Sequence, residues 1–257
     1  MLEIKDIHKT YNPGTVRELG LFDGFSLNVE AGQFLSIVGS NGSGKTTLLN
    51  ILCGSIPVDS GHIVLDGQDI TRQKEHLRSR RMARIYQNPA MGTCAQMTIQ
   101  ENMALADNKF KRMNLLPGTD KARIPLYREM LSELGLGLEN MMQARTGSLS
   151  GGQRQALAMT MARLAPIEFL VLDEHTAALD PKAAEVIMQL TDRMVKLNKL
   201  TAIMVTHNLR FALDYGDRLL MMHQGQAVLD AAGDEKKALK MDNLLALFNE
   251  ISIECGN

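Results

Sequence analysis

The sequence predicts an α/β fold with parallel strands covered by helices and a further helical segment inserted along the chain. Two unbroken apolar runs, at residues 169–172 and 202–205, are typical of strands in a parallel sheet buried on both faces. A helical pattern lies between these runs, so strand and helix alternate. From residue 98 to about residue 138 the apolar residues follow helical spacing instead. We therefore expect an α/β core with an inserted helical part.

Length and composition agree with this expectation and exclude some classes of function. The 257 residues are 45% hydrophobic and 22% charged, with a formal net charge of −1. This charge argues against nucleic-acid binding driven by overall positive charge. The apolar runs are shorter than the ~18 residues of a spanning helix, and residues 1–9 lack a signal peptide's apolar stretch. We expect a cytoplasmic protein whose cysteines are reduced: Cys53, Cys94 and Cys255.

The first third of the chain predicts short strands separated by Gly and Asp. The predicted strands cover residues 2–7, 25–29, 34–38 and 63–65. Within the helical segment, an apolar stripe predicts a helix that ends near Gly135. The stripe consists of Leu126, Met130, Leu131 and Leu134.

Two more helices are predicted toward the C-terminus. Asp180 and Pro181 are typical of the cap and first residue of a helix. The predicted buried stripe of this helix is Ile187, Leu190, Met194 and Leu197. The last 25 residues predict an amphipathic helix, whose apolar side chains are Leu239, Leu244, Leu245 and Phe248.

A glycine-rich loop follows the predicted strand at residues 34–38. It has the pattern of a phosphate-binding loop and precedes helical residues 48–52. Its glycines let backbone N–H groups point inward, at a helix N-terminus that favours anions. Lys45 would neutralise the β- and γ-phosphates of a nucleotide, and Thr46 would offer its hydroxyl to Mg²⁺. The candidate residues are Gly39, Ser40, Asn41, Gly42, Ser43, Gly44, Lys45, Thr46 and Thr47.

Two carboxylates follow the apolar run at residues 169–172. Asp173 and Glu174 stand at the end of a predicted buried strand, where an open α/β sheet binds its ligands. Asp173 suits the shell of Mg²⁺, and Glu174 could polarise an attacking water as general base. Because strands commonly end in acidic residues, these carboxylates alone are a weak signal. Together with the phosphate loop they indicate a nucleotide-hydrolysing site.

A second phosphate-binding helix terminus is predicted at residues 149–153, Leu-Ser-Gly-Gly-Gln. A helix follows at residues 154–164, so the hydroxyl and amide groups at its start can hold phosphate. The candidate residues are Ser150, Gly151, Gly152 and Gln153. One nucleotide does not readily explain two such termini about a hundred residues apart.

These motifs, in this order, resemble an ABC-transporter ATPase over nearly the whole chain. The resemblance implies a P-loop NTPase (RecA-like) core with a mixed sheet, an N-terminal antiparallel β subdomain and an inserted α-helical signature subdomain. It implies one ATPase domain, with residues 1–87 and 165–257 as catalytic core and β subdomain and 88–164 as helical subdomain. It also implies a homodimer with Mg²⁺, in which one subunit's phosphate loop and the other's residues 149–153 enclose each ATP.

Four single residues take their roles from this resemblance. Gln87 would touch Mg²⁺ and sense the γ-phosphate, while His207 would contact the γ-phosphate and orient the attacking water with Glu174. Asp180 would lie in the loop that crosses the dimer interface, and Tyr11 would stack on adenine. Without the family, His207 would be read as a core or capping histidine, Gln87 as a strand-end amide and Tyr11 as an edge-strand aromatic.

The chain departs from the family pattern at two places. His175 follows the catalytic glutamate where most members have proline; an imidazole there could alter the proton affinity of the carboxylate, but a structural role is the favoured interpretation. After Gln87 stand Asn88 and Pro89, where an acidic residue is more usual. Residues 12–15 and 175–178 are similar to an importer group associated with receptor-dependent uptake of aromatic amino acids such as tryptophan and tyrosine.

Three classes of function remain open from the sequence. The favoured one is an importer motor, because the chain carries one cassette, no predicted spanning helix and no fused channel. Its expected partners are a second copy, integral membrane permease subunits and an extracytoplasmic receptor, but no nucleic acid. We expect it at the inner face of the membrane. Methionines 91, 97, 103 and 113 cluster in the segment that would face the permease, and a core role is an equal alternative for each. The alternatives are a soluble member, such as the ATPase of an iron–sulfur scaffold, and a small-molecule kinase, which leaves residues 149–153 unexplained.

Overall fold

The computed structural model of the chain describes residues 1–111 and 118–254, and strands and helices alternate along most of this length. The elements are β1 (Leu2–Tyr11), β2 (Leu19–Val29), β3 (Phe34–Gly39), α1 (Lys45–Cys53), β4 (Ser60–Leu65), β5 (Gln68–Asp69), α2 (Glu75–Arg78), β6 (Met82–Ile85), α3 (Ile99–Asn108), α4 (Ile124–Ser132), α5 (Gly151–Ala162), β7 (Phe169–Asp173), α6 (Pro181–Asn198), β8 (Thr201–Val205), α7 (Leu209–Asp214), β9 (Arg218–His223), β10 (Gln226–Ala232), α8 (Gly233–Ala238) and α9 (Met241–Glu254).

Two sheets form the framework of the described chain. The first is antiparallel, with strand order β2-β1-β4-β5. The second has the order β10-β9-β3-β8-β7-β6; its pairs are parallel except for β9 with β10, so the sheet is mixed. The predicted α/β fold class is confirmed, and each predicted strand lies within an observed strand that extends beyond it at one or both ends.

The main core lies between the two sheets. Every residue of β3, β7 and β8 is buried, which explains their unbroken apolar sequences. Helix α1 contributes Leu48, Leu49, Ile51 and Leu52 to the same cluster as the inner residues of the antiparallel sheet. The helix that follows the glycine-rich loop is therefore held on both sides by buried apolar contacts.

A second, helical core is built from α3, α4 and α5. Its largest fully buried side chain is Tyr127, and Ile99, Met103, Leu131 and Leu157 pack in the same cluster. The predicted stripe of α4 omitted Tyr127, because a tyrosine in a helix can equally face water. Its hydroxyl donates to Asp107, which satisfies the phenol inside this core.

Helix α6 begins as predicted, with Pro181 as its first residue and the Asp180 side chain accepting from the Ala183 amide. Its predicted stripe is wrong at Leu197, which is 71% exposed. Leu197 follows Ile187 by ten residues, which turns it about 80° away around a regular helix. Thr191 takes a buried place instead, because its hydroxyl donates to the Ile187 carbonyl.

The C-terminal prediction of one amphipathic helix is wrong in its extent. Two helices are present, α8 and α9, and Leu239 lies between them in extended conformation. Leu244 is buried as predicted and packs against Val38 and Leu219, whereas Leu245 is 40% exposed. Because successive helical residues turn by about 100°, burial of Leu244 turns Leu245 toward solvent.

The cysteines of the described chain are free, as expected. Cys53 is buried and Cys94 is exposed. Burial raises the pKa of the Cys53 thiol to about 11, so it remains protonated and unreactive at neutral pH. Cys255 lies outside the described residues.

Candidate functional site

The glycine-rich loop connects β3 to α1, which is the strand–loop–helix arrangement that the sequence predicts. Gly39 has φ +153°, and a Cβ atom there would stand 2.2 Å from the Met222 carbonyl oxygen. Gly44 has φ +102°, and its Cβ would press on the Phe22 ring at 3.1 Å. Gly39 therefore requires glycine, since a side chain there would be strained and would collide with backbone, while at Gly44 a side chain would be strained and in tight contact with the Phe22 ring.

Lys45 is directed back into this loop. Its Nζ donates to the carbonyl oxygens of Gly39 and Ser40, each at 2.8 Å, and contacts Ser43 Oγ at 3.3 Å. Burial lowers the pKa of Lys45, and the negative charge of Glu174 opposes that shift. Ser40 Oγ is buried without a hydrogen-bond partner in the described part of the chain. The loop thus holds a cation and an unused hydroxyl where a phosphate group can satisfy both.

Glu174 follows β7 in a conformation that is rare for a residue with a side chain. Its φ is +46°, and its amide donates to the Val205 carbonyl at the end of β8 (2.9 Å). Its Oε1 lies 2.5 Å from His207 Nε2. The structure thus brings together the two side chains that the sequence analysis assigned to the attacking water. Such a strained backbone, held by its surroundings, is typical of functional positions.

Asp173 is paired with a residue that the sequence analysis missed. Arg84 on β6 donates from Nη2 to Asp173 Oδ2 at 2.6 Å, and each side chain is 12% exposed. Arg84 stands in β6, three residues before Gln87, with apolar residues on either side. A charge in a buried strand requires a partner.

A pocket of about 250 Å³ lies above the loop, and it contains nine of the predicted site residues. Tyr11, half-buried at the end of β1, donates to Thr47 Oγ1 at 3.4 Å, which fixes the ring beside the first turn of α1. Leu19 and Leu21 of β2 add apolar surface that the sequence analysis did not predict. The predicted residues that line the pocket are Tyr11, Asn41, Gly42, Gly44, Lys45, Thr46, Thr47, Glu174 and His207.

The predicted residues at the start of α5 lie outside this pocket. Ser150 caps α5, since its Oγ accepts from the Gln153 amide (3.3 Å) and its own amide donates to Gln153 Oε1 (3.1 Å). A Cβ on Gly151 would approach the Leu179 side chain to 3.1 Å, and one on Gly152 the Ala183 side chain to 3.2 Å. These glycines allow the start of α5 to pack closely against α6 and the loop before it.

Gln87 and Asp180 also lie outside the pocket. Gln87 is exposed after β6, and Asn88 accepts from the Ala90 amide to start a short 3-10 turn at Pro89–Gly92. The unusual Asn88 and Pro89 thus form a regular turn. The second predicted phosphate-binding helix terminus, at the start of α5, therefore does not line the pocket above the loop.

His175 is buried beneath this site, where its Nε2 bonds to Thr191 Oγ1 of α6 at 3.0 Å. Burial lowers the pKa of this imidazole to about 4, so it is neutral at neutral pH. Its hydrogen bond to α6 supports the structural interpretation of this departure from the family pattern.

A larger groove, of about 820 Å³, separates the sheet edge at β6 from α3 and α5. Arg84, Tyr86 and Gln155 are among the polar residues that line it, together with the apolar Leu105 and Met161. The methionines predicted near the permease differ in exposure: Met91 is 66% exposed, while Met103 is fully buried in the helical core. Met97 is half-buried, and Met113 lies outside the described residues.

Residues 22–177, which include the loop, residues 149–153 and Glu174, match the family model described as ABC transporter. The chain belongs to the ABC transporter family. The chain is 43% identical over 248 residues to a tyrosine transport ATP-binding protein of Clostridioides difficile, covering 96% of this chain and 98% of that protein. It is 32% identical over 239 residues to the spermidine/putrescine import ATP-binding protein PotA of Haemophilus influenzae, covering 91% of this chain and 59% of PotA.

Solved ABC cassettes have the same fold. The ADP conformation of the cassette MJ1267 matches with a TM-score of 0.80 and 25% identity, covering 97% of this chain and 98% of that one. A dimeric post-hydrolysis state of the cassette MJ0796, bound to ADP and phosphate, matches with a TM-score of 0.76 and 26% identity, covering 90% and 98%.

The ABC family membership establishes the general activity of the chain. It is an ATP-binding, ATP-hydrolysing subunit of an ABC transporter. Cassettes of this family work as dimers with membrane permease partners, through which they associate with the membrane. No helix within residues 1–111 and 118–254 has the length and apolar character to cross a bilayer.

Proposed function

We propose that this chain is the cytoplasmic motor of an importer for aromatic amino acids, with tyrosine as the first candidate substrate. The observation that carries the proposal is the 43% identity to a tyrosine transport ATP-binding protein along nearly the full length of both chains. A motor subunit does not touch the transported molecule. The substrate is therefore proposed from the likeness of the whole chain and not from any pocket in it.

The site residues divide between holding the nucleotide and activating water. In this proposal the loop residues 39–47 hold the phosphates, Tyr11 stacks on adenine, and Glu174 acts as general base with His207 orienting the water. Ser150, Gly151, Gly152 and Gln153 contact the ATP of a second copy, and Asp180 lies at the interface between copies. The close pair of Glu174 and His207 supports this division.

We assign Mg²⁺ to Thr46, Gln87 and Asp173. Their hydroxyl, amide and carboxylate oxygens are ligands that Mg²⁺ accepts, usually together with substrate phosphates. In the described ranges, no group of three or more His, Cys, Asp or Glu side chains could hold a metal ion alone. A single carboxylate at the end of β7, adjacent in sequence to Glu174 of the nucleotide pocket, suits a cation that arrives with the nucleotide. When bound, Mg²⁺ would neutralise charge on the β- and γ-phosphates.

The groove between β6 and α5 is the proposed contact with the permease, and residues 88–164 are the proposed helical subdomain around it. Residues 1–87 and 165–257 form the proposed catalytic core with its β subdomain. The groove is lined by residues of both parts, so a permease segment bound there would contact both. The complete system would include an extracytoplasmic receptor, and the chain would lie at the inner face of the membrane.

Uptake measurements test this function directly. Deletion of the gene in the source organism is expected to abolish high-affinity uptake of radiolabelled tyrosine, and the wild-type gene is expected to restore it. Lys45→Ala is the matched control, since it should be expressed but fail to restore uptake. Unchanged uptake of tyrosine, tryptophan and phenylalanine in the deletion strain would contradict the proposed substrate class.

A further inference from the structure

The side chain of Arg84 joins three elements beside the proposed metal site. From β6 its Nη1 donates to Asn50 Oδ1 on α1 (2.7 Å), and its Nη2 donates to Asp173 Oδ2 at the end of β7 (2.6 Å). The guanidinium also lies 4.9 Å from the centroid of the Tyr86 ring. These contacts fix the group in position and orientation, on a side chain that is only 12% exposed.

This arrangement places a permanent positive charge against the carboxylate assigned to Mg²⁺. A guanidinium stays protonated at any relevant pH, so the charge cannot be removed by titration. A fixed charge of the same sign within a few ångströms repels a cation strongly, even at an effective dielectric constant near 20. Its hydrogen bond uses Oδ2 of Asp173, so Oδ1 is the carboxylate oxygen outside that bond.

We propose that Arg84 tunes the affinity of Asp173 for divalent cations, neutralising the carboxylate in the nucleotide-free protein so that the cation binds only together with ATP. The inference rests on the proposed assignment of Asp173 to the metal. The phosphates of ATP bring enough negative charge to outweigh the guanidinium, whereas Asp173 alone does not. Arg84 thus acts through Asp173 as a positioning and charge-balancing residue.

Binding of Mn²⁺ to nucleotide-free protein, followed by electron paramagnetic resonance, tests the proposal without relying on hydrolysis. Mn²⁺ favours the same oxygen ligands as Mg²⁺. Arg84→Met and Arg84→Gln are each expected to bind Mn²⁺ at least about tenfold more tightly than wild type, because the opposing charge is gone. Arg80→Met is the matched control: Arg80 is exposed, so the same change in net charge should leave the affinity at the wild-type value.

Two outcomes would overturn the proposal. One is unchanged or weaker Mn²⁺ binding in the Arg84 variants. If Arg84→Met does not fold, the affinity of Arg84→Gln decides the question, since glutamine keeps hydrogen-bond donors. The other is tight binding that persists when Asp173→Asn is added to Arg84→Met, because the cation would then be bound elsewhere.

A separate measurement distinguishes this inference from the proposed function. Asp173→Asn in the otherwise wild-type chain should weaken Mn²⁺ binding in the presence of ATP. Unchanged affinity there contradicts the metal role of Asp173, and the Arg84 proposal falls with it. Weakened affinity there, together with unaltered binding in the Arg84 variants, overturns the Arg84 proposal alone.

Discussion

His175 and Glu174 are adjacent in sequence but lie in opposite environments. The carboxylate of Glu174 contacts an exposed imidazole at the pocket, whereas the ring of His175 is buried and bonds to Thr191. A neutral histidine can replace the usual proline here because Thr191 satisfies its ring nitrogen. Protonation of the ring in the interior would destabilise the folded chain, because a buried charge is unfavourable.

This burial predicts a pH dependence of stability. The pKa of His175 is about 4 in the folded chain, below its ordinary 6.5, so between these values the unfolded chain binds a proton that the folded chain does not. The free energy of unfolding should therefore fall as the pH drops from about 6.5 to about 4, by up to roughly 3 kcal/mol from this residue.

Denaturant unfolding of His175→Gln against wild type across this range measures the effect. The variant should lose the part of the pH dependence due to His175, since glutamine does not titrate. His76→Gln, which removes an exposed imidazole, should retain the wild-type dependence. An unaltered pH dependence in His175→Gln would show that the buried ring does not carry this energy.

At the residue scale, residues within the motifs could be predicted from the sequence, whereas their neighbours outside the motifs could not. Lys45 and Glu174 could be proposed as site residues because each stands in a sequence-local pattern, the glycine-rich loop and the strand end, and both line the pocket. Arg84 and Asp173 are 89 residues apart and meet only because β6 pairs with β7. Leu19 and Leu21 enter the pocket through the pairing of β1 with β2, which no motif encodes.

The loop between β3 and α1 depends on glycine for two separable reasons. At Gly39 a Cβ would collide with the Met222 carbonyl, which belongs to the backbone of β9 and cannot rotate away. At Gly42 the φ is +80° but no atom lies within 4 Å of such a Cβ. A side chain at position 42 would therefore cause backbone strain alone, whereas one at position 39 would cause strain and a collision.

Alanine at these two positions should consequently have unequal effects. We expect Gly42→Ala to lower the free energy of unfolding by about 1–2 kcal/mol, the cost of a left-handed residue with a side chain. Gly39→Ala should cost more than that, because β3 must move away from β9. Urea unfolding without nucleotide measures both, and equal losses would contradict the collision at Gly39.

At the element scale, strands and helix starts were predicted better than helix faces and ends. The unbroken apolar runs of β7 and β8 and the Asp-Pro start of α6 are local signals. Which side of a helix is buried depends on its neighbours. Thr191, which the predicted stripe omitted, is buried because it contacts His175 and Met159 across the core, whereas the predicted Leu197 is exposed.

At the scale of the whole molecule, the described chain presents two helix N-termini suited to phosphate, and its nucleotide pocket uses only one. The pocket is lined by the start of α1, whereas Ser150 and the start of α5 lie outside it. Cassettes of this family work as dimers, as in the dimeric cassette that this chain resembles. In a dimer, the helix terminus at the start of α5 can contact the nucleotide bound by the other copy. The central claim is that each ATP is held by Lys45 of one copy and Ser150 of the other.

Sedimentation velocity of Glu174→Gln tests that claim most directly. Hydrolysis should be blocked while ATP still binds, so Mg-ATP should link two copies into a dimer, and ADP should leave monomers because the γ-phosphate contacts are missing. Adding Ser150→Arg should prevent the dimer while ATP binding to the loop of each chain persists. A dimer of equal stability with ADP, or one that survives Ser150→Arg, would contradict the claim that ATP joins two copies of this chain.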